Sequence, residues 1–514
     1  MKRKFDLFDP QPRYEQIRGA RYWPDTMFVD MSNYPEEWQQ FDGNEYQLLR
    51  DGDLNLFVAA AARMHEQVHW LQTIGTTFGR FLALNRITTG DLAEAALTTA
   101  SKNEIERLAK VRANGIAPAS RNKQGRLLHE VEYSLTIQSL LDHWWATVAL
   151  EHYLVDGNYS LINPVDPRFL VGLGMRYVDA GERFRIVFNS PDKDFLEETR
   201  SYGPLGGTKP PKPHNALTTR HIEEGAALIV QHIFLSRVSA SLSDSRAQLL
   251  GQRALAWTLE RFIDRRYSLY ARAFFEFLAV LPDHCLNRQL ELFLLVCDIA
   301  LNPEISFDRT SQHTWSDFLP VLRFFSILRV MQIQSLDCLV NEDMPLSDWW
   351  TRQRDQFVDL AGLSDGARNP TMIAKPKNWV DPYGKPTEYM RQFVLWAGAN
   401  LEALRSKFPA AACSPANVVG PDESAFIAEF GQQEGPTYDP PLLIKNHGFG
   451  EPVSISTEIF VSLITAATCK RSVHSWLAHS GAISFDGLPS DKAGRLAQER
   501  ALHRMSLLFD VTAK

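Results

Sequence analysis

The run Arg63-Met-His65-Glu66-Gln67-Val68-His69-Trp70-Leu71-Gln72 holds two histidines four residues apart, with a glutamate directly after the first. On a helix that spacing puts both imidazoles on one face, where they can reach one metal ion. Glu66 then sits beside the ion rather than on it. It is placed to hold a metal-bound water and to take the proton as that water attacks a carbonyl carbon. The metal makes this chemistry accessible at neutral pH by lowering the water's pKa toward ~7. With 14 histidines in 514 residues, the pattern arises by chance about 0.02 times per chain. The residues therefore predict a zinc site with His65 and His69 as ligands and Glu66 as general base.

A His-Glu-x-x-His run on a helix resembles the active-site signature of the zincin metallopeptidases. After His69 the chain reads Trp-Leu-Gln-Thr-Ile-Gly-Thr-Thr-Phe, with no third His at the spacing of the metzincin branch. The resemblance is therefore to the gluzincin branch, where a Glu from a second helix completes the ligand set. Two segments offer one. Glu94, in Asp91-Leu-Ala-Glu-Ala-Ala-Leu97, has the customary spacing. If the first helix continues to about Leu84, however, its end lies ~22 Å beyond His69, and Glu94 follows too soon after the turn to come back. The other is Arg220-His-Ile-Glu223-Glu224-Gly225-Ala226-Ala227. Its Glu-Gly-x-Ala stretch is similar to the third-ligand segment of aminopeptidase gluzincins, whose small residues let that helix pack closely on the His-bearing one. Glu224 is the preferred third ligand and Glu94 the alternative. The choice implies an insertion over about 90–215 that leaves the catalytic core and returns.

The resemblance implies a peptidase acting on a peptide or protein substrate. The same two His and one carboxylate would also suit non-haem Fe(II) in an oxygenase. A non-catalytic helical interaction protein is the bland alternative. His221, three residues before Glu224, is a candidate ligand or oxyanion donor, as are Tyr133, His152 and Tyr153 for the donor role. Glu130 and Glu132 read as surface carboxylates. No Walker A run, G-x-G-x-x-G after a strand or G-x-S-x-G elbow occurs. A carboxylate-bridged di-iron site needs two Glu-x-x-His units, and only Glu66-x-x-His69 is present.

The elements that must position these groups read as helices. Leu54, Phe57, Val58, Ala61, Met64, Val68 and Leu71 recur at three- and four-residue steps, the stripe of a helix buried along one side. Similar patterns occur at roughly 90–112, 127–155, 219–240, 245–280, 285–301, 316–341, 346–362, 388–407, 456–477 and 490–509. Strand-like runs are few: Met27–Met31 and Arg183–Phe188. The expected fold is mainly α: a zincin-like helical catalytic core with a small β element and a large helical insertion, plus a helical C-terminal region. That places a metal-binding catalytic region at 1–305 and a second region at 306–514, which would gate substrate or bind a regulatory protein partner. Pro- and Gly-rich breaks punctuate the chain, most sharply at 203–213.

A net charge of −7 argues against a nucleic-acid-coating protein. The apolar stretch from Leu290 to Leu301 is interrupted by Glu291 and Asp298 and falls short of the ~20 residues a spanning helix needs. Cys285, Cys297, Cys338, Cys413 and Cys469 form no C-x-x-C pair and read as free thiols in a reducing, cytoplasmic compartment. His143-Trp144-Trp145 and Trp349-Trp350 read as interhelix packing.

Overall fold

The computed structural model describes residues 21–24, 28–30, 54–115, 133–156, 185–188, 217–263, 268–305, 310–313, 318–333, 346–368, 386–407, 409–413, 457–478 and 492–509. The described chain is mainly helical. In order, it contains β1 (Arg21–Trp23), β2 (Phe28–Asp30), α1 (Leu54–Gly75), α2 (Thr77–Thr99), α3 (Lys102–Ala113), α4 (Leu135–Asp156), β3 (Arg185–Phe188), α5 (Thr219–Ser241), α6 (Ser245–Ile263) and α7 (Ser268–Leu278). A 3-10 turn at Asp283–Arg288 leads into α8 (Gln289–Leu301), β4 (Thr310–His313), α9 (Pro320–Ile333), α10 (Leu346–Ala361), α11 (Pro386–Lys407), α12 (Pro409–Cys413), α13 (Thr457–Ala478) and α14 (Lys492–Phe509). β1 pairs antiparallel with β2, and β3 parallel with β4.

At the centre lies α5, buried nearly all round: Ile222, Ala227, Leu228, Ile229 and Val230 are fully enclosed, and Gln231 with them. A helix with apolar residues on every side must be covered on every side. On one flank it carries α1, whose Phe57-to-Met64 segment is likewise enclosed and whose four successive alanines, Ala59 to Ala62, leave room for close approach. On others it carries α6, α7 and α8. Phe293 of α8 meets Phe274 edge-to-face at 5.1 Å and Phe277 at 5.5 Å. Full burial of such a side chain contributes about 1.5–3 kcal/mol.

The apolar core is continuous across residue 305. Phe318, Phe324, Trp349, Trp350 and Phe357 join it, and Phe318 packs on both Phe78 and Phe81 of α2. A second core joins the ends of α2 and α4 to α13 through Ala93, Leu141, Trp144, Val473 and Leu477. Both tryptophan pairs contribute to packing as expected: Trp144, Trp349 and Trp350 are all buried.

Two sequence expectations need correction. The His-bearing helix does not run on to Leu84; it stops at Gly75, and α2 starts at Thr77. Thr76 makes the break, its hydroxyl accepting from the Gly79 N–H at 2.9 Å and donating to the Gln72 carbonyl at 2.6 Å. Thr77 is then held from a distant segment, its N–H on Asn302 Oδ1 and its hydroxyl on the Pro303 carbonyl. The turn is so tight that a Cβ at Gly79 would lie 1.9 Å from the Gln72 carbonyl oxygen, so only glycine fits. The second correction concerns the thiols. Cys297, Cys413 and Cys469 are free, but Cys285 is disulfide-bonded, with its partner outside the described residues. That bond removes the thiol argument for a reducing compartment. Among the described residues no helix is long and apolar enough to cross a membrane.

Candidate metal centre

His65 and His69 project from α1 toward Glu224 in the first turns of α5. The three nitrogen–oxygen and nitrogen–nitrogen separations are nearly equal. His65 Nε2 lies 3.2 Å from Glu224 Oε2 and 3.2 Å from His69 Nε2, and His69 Nε2 lies 3.4 Å from the same carboxylate oxygen. Three ligands at the usual zinc distances of about 2.0–2.1 Å in tetrahedral arrangement stand roughly 3.3 Å apart. The triangle therefore has the size of one face of a zinc coordination shell. Among the described residues this is the one group of three or more His, Cys, Asp or Glu side chains so arranged.

The electrostatics agree with the geometry. Lone pairs from three groups facing one point repel one another unless positive charge lies among them. Burial works against a charged His69, but the Glu224 carboxylate outweighs it and lifts the imidazole pKa to about 10. Burial would likewise push the Glu224 carboxyl up, yet the two imidazoles hold it well below the usual carboxylate range. A proton meets the need for positive charge at this point; a divalent cation is the other way to meet it.

Glu66 is not part of the triangle. Its Oε2 accepts the Tyr22 backbone N–H of β1 at 2.7 Å, and its carboxyl faces the cavity that the triangle also lines. Burial raises its pKa, opposed by the neighbouring imidazoles and the Tyr22 N–H. The cavity, of about 390 Å³, is bounded by Tyr22 and Pro24 on one side, α1 and α5 on another, and Tyr270 of α7. The Tyr270 ring lies 5.8 Å from that of His65. Glu223 also lines it, and burial pushes its pKa up to about 6.

The remaining candidates stand elsewhere. Glu94 pairs with Arg504 of α14 and does not line the cavity. His221 caps α5: its Nδ1 accepts the Thr218 N–H at 3.1 Å. Burial, helped by Arg272 and Arg220, pushes its pKa down to about 4. Tyr133 packs beside the second core near Glu104. The side chains of His152 and Tyr153, and residues Glu130 and Glu132, lie outside the described residues. Gly225 does not open the α1–α5 contact, contrary to what the resemblance to the aminopeptidase segment implies. A Cβ there would lie 3.3 Å from the Tyr270 carbonyl oxygen and 3.3 Å from Phe293, so its small size admits α7 and α8 instead.

Reading the sequence did not single out Gln72, which bonds to His69 on α1 and to the Glu223 carbonyl on α5. Its signal was available in the His-x-x-Gln spacing, since residues three apart on a helix are neighbours. No protein-family model, curated protein or solved structure matches this chain.

Proposed function

We propose that the protein is a zinc-dependent metallohydrolase with a zincin-like helical core, acting as a peptidase. The observation that carries this reading is the convergence of His65, His69 and Glu224 in a cavity that also holds the Glu66 carboxyl. In this reading His65, His69 and Glu224 hold the ion. When bound, zinc supplies Lewis acidity, bringing the pKa of a coordinated water toward ~7. Glu66 accepts the proton of the attacking water and returns it to the leaving amine. The Tyr22 N–H fixes one Glu66 oxygen and leaves the other to the cavity, so the base is oriented before substrate arrives.

Hydrolysis leaves an isotopic record. Incubating the zinc-loaded chain with a complex peptide mixture in heavy-oxygen water should yield new C-termini carrying the heavy label. Cleavage should stop with a zinc chelator and return with added zinc. An absence of chelator-sensitive, label-bearing products across such a mixture would contradict the peptidase reading.

A further inference from the structure

Gln72 makes two hydrogen bonds that together dictate the protonation geometry of a ligand. Its Nε2 donates to the Glu223 backbone carbonyl at 2.9 Å, and its Oε1 lies 2.8 Å from His69 Nδ1. A carbonyl can only accept, so the amide NH₂ must face Glu223. That settles the orientation of the amide and leaves its oxygen, which also can only accept, against His69. The His69 Nδ1 must therefore carry a proton and donate it. In a neutral imidazole this leaves the lone pair on Nε2, the nitrogen that faces His65 and Glu224. Gln72 is itself buried, 7 % exposed, so the arrangement is not diluted by exchange with water.

From these contacts we propose that Gln72 is a positioning residue. It holds His69 in the Nδ1–H form with Nε2 toward the ion, anchored on the backbone of the residue preceding Glu224. The proposal rests on the metal reading given above and extends it to the residue that pre-organises the site. One side chain on α1 thus orients the second His and ties it to the helix turn that presents the third ligand. His65 has no such support: its Nδ1 is buried and has no hydrogen-bond partner among the described residues. The orientation of the site accordingly depends on Gln72 more than on any group behind His65.

The test compares the full-length wild type with Gln72→Met and Gln72→Glu. Met has similar length and makes neither bond. Glu keeps an oxygen for the His69 N–H but cannot donate to the Glu223 carbonyl. Zinc affinity is measured by competition with a chelating dye. The His69 Nδ1–H signal is followed by NMR in the zinc-loaded chain labelled at histidine, and thermal unfolding of the metal-free forms reports folding. Gln72→Met should bind zinc 10–100-fold more weakly, the usual cost of losing a partner behind a metal-bound His. It should also lose the slowly exchanging Nδ1–H signal, which a merely structural role would not move. Gln72→Glu should keep the signal and bind several-fold more tightly than Gln72→Met. A folded Gln72→Met with wild-type zinc affinity would overturn the proposal, as would a folded Gln72→Glu that binds as weakly as Gln72→Met or lacks the signal. If Gln72→Met does not fold, Gln72→Glu against wild type decides. Wild type that binds no zinc would overturn the metal reading and this inference together, whereas wild-type binding with indifferent variants would overturn this inference alone.

Discussion

Glu66→Gln is expected to leave folding and metal content intact while lowering turnover by about 10²–10⁴-fold, the range typical of losing a general base. Gln keeps the shape of the side chain and an oxygen to accept the Tyr22 N–H, so the β1 contact on α1 survives. It also leaves the His65–His69–Glu224 triangle untouched, because Glu66 contributes no ligand atom to it. What it cannot do is take up a proton at neutral pH. The measurement pairs metal analysis of the variant with its rate on peptides found in the labelled-water experiment. A folded, metal-loaded and fully active Glu66→Gln would remove Glu66 from the chemistry and leave a structural zinc as the better account of the same ligands.

Asp298→Ala is expected to destabilise the chain by about 3–5 kcal/mol, the cost of leaving a buried charge without its partner. Asp298 of α8 accepts from Arg405 Nε at 3.0 Å and pairs with Arg354, all three being buried. Arg354 keeps a second partner in Asp365 at 3.0 Å. Arg405 also donates to the Gly75 carbonyl, so its charge sits at the C-terminal end of α1, where a helix favours a cation. Removing Asp298 therefore unbalances the anchor of the His-bearing helix. A surface pair supplies the control. Asp359 meets Arg368 at 2.7 Å, but its side chain is 69 % exposed, so Asp359→Ala should cost no more than about 1 kcal/mol. Urea denaturation of both variants and the wild type checks the contrast. Equal midpoint shifts would contradict it.

The parts of this site that were legible in the sequence are those carried by local spacing. His65 and His69 four apart on an apolar-striped segment identify a helix and the face on which both imidazoles lie at once. Most helices were equally visible, because burial along one side writes a three-to-four-residue period into elements such as α4 and α10. The 245–280 pattern, by contrast, corresponds to two described helices, α6 and α7. Helix ends were less visible. The stop at Gly75 depends on Thr76 and on Asn302 and Pro303, more than two hundred residues away, and no local window contains them. The 90–112 pattern divides for a local reason, since Ser101 and Glu104 form a capping box that starts α3.

The least legible features are pairings across long stretches of chain. Asp298 with Arg405, Arg80 with Glu402, and Gln72 with the Glu223 carbonyl each join segments whose proximity follows from the packing of whole helices. Gly225 shows the same limit from the other side. Its small size was readable, but which helix used that space was not. Glu224 lies between these cases. Its residue type and helical setting were visible, while its meeting with His65 across 159 positions depended on α5 folding back along α1.

The most direct measurement of the central claim is the metal content of the full-length chain after gentle purification without chelators, for wild type, Glu224→Gln and Glu94→Gln. With His65, His69 and Glu224 as the ligand set, the wild type should carry about one equivalent of zinc. Glu224→Gln should lose most of it, and Glu94→Gln should retain it. A wild type that holds no divalent metal, or a Glu94→Gln that loses the zinc while Glu224→Gln keeps it, would contradict the account.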